Sequence, residues 1–481
     1  MGIFRTNDPT QFDDVDGIII DETAPAPSIR GVAANIAILV GQFQRGPEAL
    51  TEVGSIVQFQ ELYGKSSFSG NKQLANKRFG RLKVIRALAA AAVKATLNLD
   101  DGATTDILQI DAKGKGAYGN NITIEVAAGS VQGRKYIVKD LNSGTVIGTE
   151  TFDNIQITDS DLLSKFSASQ LIDVTVLATS AEPAIVAATN LATGADGTIA
   201  DTDYQTAIAL AAPELSGNFI FLDENNTIRN GYLKTHVATT QDKMAIVCGA
   251  ESDDKTAVIA DVVNNRDTDG RIIYAFPYVE TVISGVKEFT NPCAWYASIL
   301  SNTSPHLDPA FAENTQFLAG VTALKFPSLT RADYIQLMEA GVSAFENDPD
   351  IGFKIKSGVV TQILDSSKVM VFRRRMADFL TNSIAKFLKA FQNGVNALEK
   401  RDEVKAQILD FVRRAQLNQL LPTDSEVNGG QAALVDTESL NTDSSIALGF
   451  FKIKYRQRIF SSMRFIVLQA EIGESVVVTE G

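Results

Sequence analysis

FIFLDENNTIRNGYLKTHVATTQDKMAIVCGAESDDKTAVIADVVNNRDTDGRIIYAF, residues 219–276, decides the fold class. Three apolar runs, FIFL (219–222), MAIVC (244–248) and RIIYAF (271–276), read as buried strands. Amphipathic helical stretches lie between and after them, as at 254–265 and 330–340. Strands alternating with helices predict a mostly parallel sheet covered on both faces. Upstream, IAILV (36–40) and the run from Leu82 to Ile85 read as two more buried strands, with a short helix around Gln58 to Tyr63. Downstream, residues 370–415 hold two long helical stretches that part near Asn393-Gly394.

Between these α/β segments the pattern changes. Residues 97–200 alternate apolar and polar positions around glycine-rich turns, with a helical stretch at 159–172, and read as a β-rich insertion. It is also acidic: residues 97–203 carry 6 basic and 15 acidic groups. Residues 204–370 carry 12 and 20, whereas 1–96 carry 11 and 9, and 371–481 carry 15 and 13. The two ends of the chain are thus slightly basic and the middle acidic. The expected organisation is an N-terminal arm (1–23), a first inner segment (24–96), the insertion (97–210), an α/β middle (211–369), a C-terminal inner segment (370–463) and a C-terminal arm (464–481). The fold class is α/β: a mixed-sheet inner domain flanked by helices, an inserted β-rich outer domain, and extended strand arms at both termini.

Composition excludes several functions. The chain of 481 residues is 45% apolar and carries a net charge of −13, a poor match for nucleic acid or anionic lipid. No apolar run is long enough to span a bilayer, and the start, MGIFRTNDPTQFDD, has no apolar signal core. Two histidines and two cysteines offer little to a metal site or a disulfide framework, and no cofactor is expected.

The motifs read blandly. Gly114-Lys115-Gly116-Ala117-Tyr118-Gly119 matches G-x-G-x-x-G, but it leads into the strand-like ITIEV rather than a helix, so it reads as a turn. His306, in SPHLDPAF, lies near Asp308, Ser301 and Ser304 without a nucleophile elbow, and reads as part of a capping loop. Cys248 and Cys293 lie in apolar surroundings and read as buried, inert thiols.

Two basic elements stand out. Arg373-Arg374-Arg375 opens a helical stretch, and residues 371–415 carry 10 basic against 5 acidic groups. Lys452, Lys454, Arg456 and Arg458 alternate with mostly apolar residues, which on a strand places four cations on one face. Either is a candidate docking face for an acidic partner. Near the termini, Ile18, Ile19 and Ile20 precede Pro25 and Pro27, and Val476, Val477 and Val478 follow Gly473. Short strands on tethers at both ends suit exchange between subunits, where a strand adds to a neighbour's sheet edge.

The order of motifs resembles contractile bacteriophage tail sheath proteins. Pro27-Ser28-Ile29-Arg30-Gly31-Val32, ILVG (38–41), Arg45-Gly46-Pro47, then Ser55, Phe59, Tyr63 and Gly64, match the family's start. Ala112 to Asn120 matches the element that opens the sheath insertion, with Tyr118 where many sheaths have tryptophan. YAFPYVET (274–281), 297–324, EAGVSAFE (339–346), SGVVT (357–361), FRRRMADFL (372–380), KRDEVKA (400–406) and RIFSSMRFIVLQAEIG (458–473) are similar to a subgroup from Mu-like and related myophages. The resemblance is weakest over 125–215. It implies a structural, non-enzymatic subunit that forms stacked hexameric rings around an inner tail tube. Contraction would drive the tube through the host envelope. The implied partners are other copies of the chain, the tube protein, and baseplate and tail terminator proteins, with no nucleic acid and no membrane insertion. The implied location is the virion, with assembly in the host cytoplasm. Arg373, Arg374 and Arg375, or the 452–458 ladder, would face the tube. A hydrolase-like enzyme using His306, or a sheath of a non-viral contractile injection system, are the alternatives.

Overall fold

The computed structural model describes residues 29–64, 79–142, 144–214, 218–283, 285–364, 368–427 and 431–462, and the backbone of strands Gly2–Arg5 and Gly17–Ile20. It divides into two compact units, one of Met1–Gly31 with Ser383–Ser461, the other built on Val32–Asn382.

The larger unit is organised by an eight-stranded sheet. Its spatial order is Gly352–Ile355, Val342–Asp348, Ile272–Phe276, Lys243–Val247, Asn218–Leu222, Ile36–Gly41, Arg81–Arg86 and Thr51–Val53. The six central strands run parallel, and each edge strand pairs antiparallel with its neighbour. The apolar runs form this sheet because β-branched and aromatic side chains on alternate residues must bury on both faces. Leu39, Phe219, Phe221, Met244, Ile246 and Ile273 point to one side, against Trp295 and Tyr296 of helix Pro292–Asn302. Ile38, Val40, Ile220, Ala245, Val247 and Ile272 point to the other, against Tyr204, Leu233, Val237, Val258 and Leu337.

The helices start where the sequence supplies caps. Asn226 accepts from the amides of Ile228 and Arg229, Asp254 from Ala257, and Asn291 from Cys293 ahead of Pro292. Thr330 and Asp333 form a reciprocal capping box.

The insertion has its own core of Ile107, Ile110, Ile124, Val126, Tyr136, Val138 and Phe166. It comprises a four-stranded antiparallel sheet and a three-stranded one. Its two ends lie side by side: Val93 bridges Ala195 and Thr96 bridges Ala192. The expected boundary at 210 therefore runs too far. Helix Asp201–Ala209 buries Tyr204, Ala207 and Ile208 against the large sheet and belongs to the inner fold. The helix expected over 159–172 shrinks to Leu162–Phe166, because Ile172–Val176 is taken as a strand by Asp106–Ala112.

The smaller unit contains helix Leu398–Leu417 and an antiparallel pair, Ala433–Asp436 with Lys454–Gln457. Asn441 ties this hairpin together: its Nδ2 donates to Thr437 O and Lys452 O, and its Oδ1 accepts from Lys452 N. Arg414 Nη2 donates to the carbonyl of Ile29, which fastens the N-terminal segment to the same unit.

Candidate assembly surfaces

The motif residues meet at one junction. Arg45 stacks over the Tyr118 ring, 4.6 Å from its centroid, donates to the Tyr118 hydroxyl at 3.1 Å and pairs with Asp140. Tyr118 in turn donates to Asp140 Oδ1 at 2.6 Å. Burial, and then this bond to Asp140, push the Tyr118 phenol above its ordinary range. Arg86, buried at the end of a sheet strand, donates to Phe43 O and Lys115 O. Arg45 and Arg86 thus clasp the glycine-rich stretch. Gly119 lies there because a Cβ would stand 2.8 Å from the Cβ atoms of Ala95 and Ala112. The G-x-G-x-x-G match is a turn, as expected: a short 3₁₀ segment, Ala117–Asn121, runs into strand Ile122–Ala128. The network fixes the insertion's root on the inner sheet, a role the spacing of Arg45, Tyr118 and Asp140 alone does not reveal.

The three consecutive arginines do not form a face. Successive helical residues point about 100° apart, so three in a row diverge. Arg375 is a correction to the expected tube-facing set: it is 4% exposed and caps helix Pro292–Asn302 by donating to Leu300 O and Thr303 O. Burial lowers its guanidinium to about 9. Arg374 pairs with Asp378, which also holds the buried Arg271 at 2.9 and 3.1 Å. Arg373 is half-buried.

The second basic element is better disposed. Lys452, Arg456 and Arg458 are exposed, and Lys454 is half-buried opposite Asp436. Asp436 accepts from the Ser439 hydroxyl and from the Ser439 and Glu438 amides; with Lys454 nearby, these hold its carboxyl at about 2. An acid opposite Lys454 is what a row of cations on one strand requires. Exposed Leu434 and Phe450 adjoin them in sequence or register.

Of the terminal arms, Ile18, Ile19 and Ile20 lie on strand Gly17–Ile20, which pairs in parallel with Gly2–Arg5. Val476, Val477 and Val478 lie outside the described residues.

The remaining candidates have structural partners. Ser301 Oγ donates to Ser298 O and accepts from Gly80 N, while Asp308 accepts from Ala310 N; neither engages His306 in these bonds. Burial lowers the His306 imidazole. One residue passed over in the sequence is Asp223. It sits where the strand order reverses, between the ends of Asn218–Leu222 and Ile36–Gly41. It accepts from Gln42 N at 2.9 Å and from the Tyr204 hydroxyl at 3.1 Å. Such a reversal is a common ligand crevice in α/β sheets, but here the carboxyl itself fills it, 2.6 Å from where a Gly41 Cβ would be. Among the described residues no cluster of metal-ligating side chains and no membrane-length apolar helix is present.

By sequence, no family model and no curated protein matches the chain. Solved structures do. The sheath tail protein of Listeria innocua superposes with a TM-score of 0.61 at 15% identity, covering 86% of this chain and 90% of its own. That of Desulfitobacterium hafniense gives 0.56 at 15%, covering 88% and 94%. The contracted helical sheath of the anti-feeding prophage gives 0.57 at 14%, covering 95% and 99%. These matches do not single out a Mu-like subgroup. Over most of its length the chain therefore shares the fold of these sheath proteins.

Proposed function

We propose that this chain is the subunit of a contractile sheath, polymerising as stacked hexameric rings around an inner tube and contracting to drive that tube through a target envelope. The observation that carries the reading is the extent of the fold match: 95% of this chain superposes on 99% of a solved sheath. The role is structural, and stored energy would lie in differences between inter-subunit contacts. The strand arms support it. A two-stranded parallel sheet of four-residue strands is marginal by itself, so Gly2–Arg5 and Gly17–Ile20 gain from a further strand supplied by a neighbour. The partners in this reading are other copies, a tube protein, and baseplate and terminator proteins. Its location is the virion tail, after assembly in the host cytoplasm.

The solved neighbours include sheaths of an anti-feeding prophage and of an extracellular contractile injection system, so a non-viral injection machine is the second reading. Electron microscopy of purified protein tests both: helical tubes are expected, and a dispersed monomer at high concentration overturns the assembly role. The adjacent genes, phage capsid or not, separate the two readings.

A further inference from the structure

One turn joins the two long helices near the C-terminus, and its backbone restricts its sequence. Helix Val371–Leu388 tightens into the 3₁₀ segment Lys389–Phe391, and helix Leu398–Leu417 follows after a short connection. In that connection Gln392 has φ −61° and ψ 134°, Asn393 has φ 65°, and Gly394 N donates to Phe391 O at 3.1 Å. These values describe a type II turn over 391–394, whose third residue is glycine or asparagine because other side chains are strained in the left-handed region. The fourth residue is restricted by space: a Cβ on Gly394 would lie 3.1 Å from Phe391 O. The turn therefore favours asparagine followed by glycine, and it holds this pair in solvent. Gln392, Asn393, Gly394 and Val395 are all exposed. The same pair occurs at Asn230-Gly231 in the opposite setting. Asn230 is 4% exposed, lies inside helix Thr227–Thr240, and donates from Nδ2 to Asn225 Oδ1 and Cys248 O, both at 3.2 Å. A third pair, Asn428-Gly429, lies outside the described residues.

We propose that Asn393 is a site of spontaneous modification, at which the folded chain converts this amide to aspartate and isoaspartate while it protects Asn230. The Gly394 amide gives up its proton to base and its nitrogen attacks Asn393 Cγ. The new N–Cγ bond closes a five-membered imide, the Cγ–Nδ2 bond breaks, and ammonia leaves with the proton that Gly394 lost. Water then opens the imide. Cleavage between the ring nitrogen and Cγ gives aspartate; cleavage between the ring nitrogen and the main-chain carbonyl carbon gives isoaspartate. One water is consumed and one ammonia released. Glycine assists because no side chain shields its nitrogen and its backbone turns freely toward the ring. The bond from Gly394 N to Phe391 O must open first, which costs little in an exposed turn. At Asn230 the side chain must leave two buried acceptors and the surrounding helix must unwind. Conversion places a carboxylate between Lys389 and Lys400, and isoaspartate lengthens the main chain just before Asn396, whose Nδ2 ties the turn to Phe450 O at 2.9 Å. The reaction needs only water, and it does not depend on assembly.

The test incubates the full-length folded chain at mildly alkaline pH in water enriched in oxygen-18, so that conversion in the native state carries the heavy label, and then digests it with trypsin in ordinary water. Cleavage after Arg229 and Lys234 isolates 230–234, and cleavage after Lys389 and Lys400 isolates 390–400, so each site is read in its own peptide. Labelled acid is expected at Asn393, located by fragment ions that separate it from Asn396, and it should form more than about tenfold faster than at Asn230, which reacts only from a locally opened state. An isoaspartate methyltransferase should methylate the aged 390–400 peptide and not the fresh one. In urea the difference between the two sites should vanish. Asn393→Gln should remove the labelled product, since its longer side chain closes the ring slowly, and circular dichroism verifies its fold. An unlabelled 390–400 peptide, equal conversion at the two sites in the folded chain, or a difference that persists in urea overturns the proposal. The wild-type readouts stand even where the variant fails to fold.

Discussion

Asp223 shows how a single buried group sets a pH dependence. Burial raises its carboxyl to about 7, with the Gln42 amide, the Tyr204 hydroxyl and Arg229 opposing and Glu224 adding to the rise. The folded chain therefore holds this proton more tightly than the unfolded chain, whose carboxyl titrates near 3.8. The proton's contribution is full below the ordinary carboxylate range and is lost as pH rises through about 7. At 1.36 kcal/mol per pKa unit the span is at most about 4 kcal/mol. Asp223→Asn removes the titration, so urea midpoints of the variant should fall less than wild type between pH 4 and 8. Parallel curves for the two proteins would show that the carboxyl does not titrate in that window. Nothing near Asp223 in sequence marks it: FLDENN reads as a polar loop after a strand. Its burial follows from Gly41 and Tyr204, far away along the chain, closing over it. Arg375 is illegible for the same reason. A helical arginine reads as solvated until the carbonyl ends of another helix are known to lie beside it.

Elements were more legible than single residues wherever burial is two-sided. IAILV, FIFL, MAIVC and RIIYAF become strands because nothing but a covered parallel sheet can bury an unbroken apolar run of that length. The parallel pairing of Gly17–Ile20 with Gly2–Arg5 was not legible, since GIFR lacks alternation and is too short to show a period. Helix Val371–Leu388 is anchored in the larger unit by charge as well as by Val371, which packs in the same core as Leu39 and Phe219. Arg271, Asp378 and Arg374 form the anchor, with Arg271 and Asp378 almost fully buried. Asp378→Ala leaves Arg271 buried and unpaired, and about 3–5 kcal/mol of stability should be lost. Arg374→Ala removes a more exposed partner and should cost no more than about 1 kcal/mol. Chemical denaturation of both variants checks the order, and equal losses would contradict it. The insertion offers a second prediction at this scale. Because Thr96 and Ala192 lie side by side, a short glycine-rich linker replacing 97–191 should close without strain and leave the inner sheet folded. The variant should be less stable, since Arg86 loses its bond to Lys115 O and Arg45 its contacts with Tyr118 and Asp140. Insoluble protein under all conditions would show that the insertion is needed for the inner fold.

If the chain is the sheath subunit proposed above, the question at the scale of the whole molecule is which parts act between copies. Lys452, Arg456 and Arg458 are exposed in a chain of net charge −13, so an acidic tube would be held by them loosely and in a salt-dependent way. Lys452→Glu, Arg456→Glu and Arg458→Glu together should uncouple sheath from tube while sheath-only polymers still form; tube-templated assembly that survives the triple change at high salt would exclude this surface. The arms make the stronger demand. Strands Gly2–Arg5 and Gly17–Ile20 share four residue pairs, and a strand added by a neighbour would contribute about four to six main-chain hydrogen bonds, each worth on the order of 1 kcal/mol net. One such strand is a weak tie. One per subunit, repeated along a helical polymer, would hold a mesh while the domains slide, because the pairing can persist as the tether's dihedral angles change. Removing residues 1–22 takes away both strands and leaves Ile29, whose carbonyl holds Arg414, so the truncated chain should remain folded and monomeric. Ile19→Pro should act in the same direction if the amide of Ile19 serves a ladder, since proline has no N–H to donate. Sedimentation and negative-stain microscopy, with circular dichroism to verify folding, read both variants. Polymers of normal length from the truncated chain would mean that lateral domain contacts alone carry the assembly and that the terminal strands serve only the subunit in which they lie.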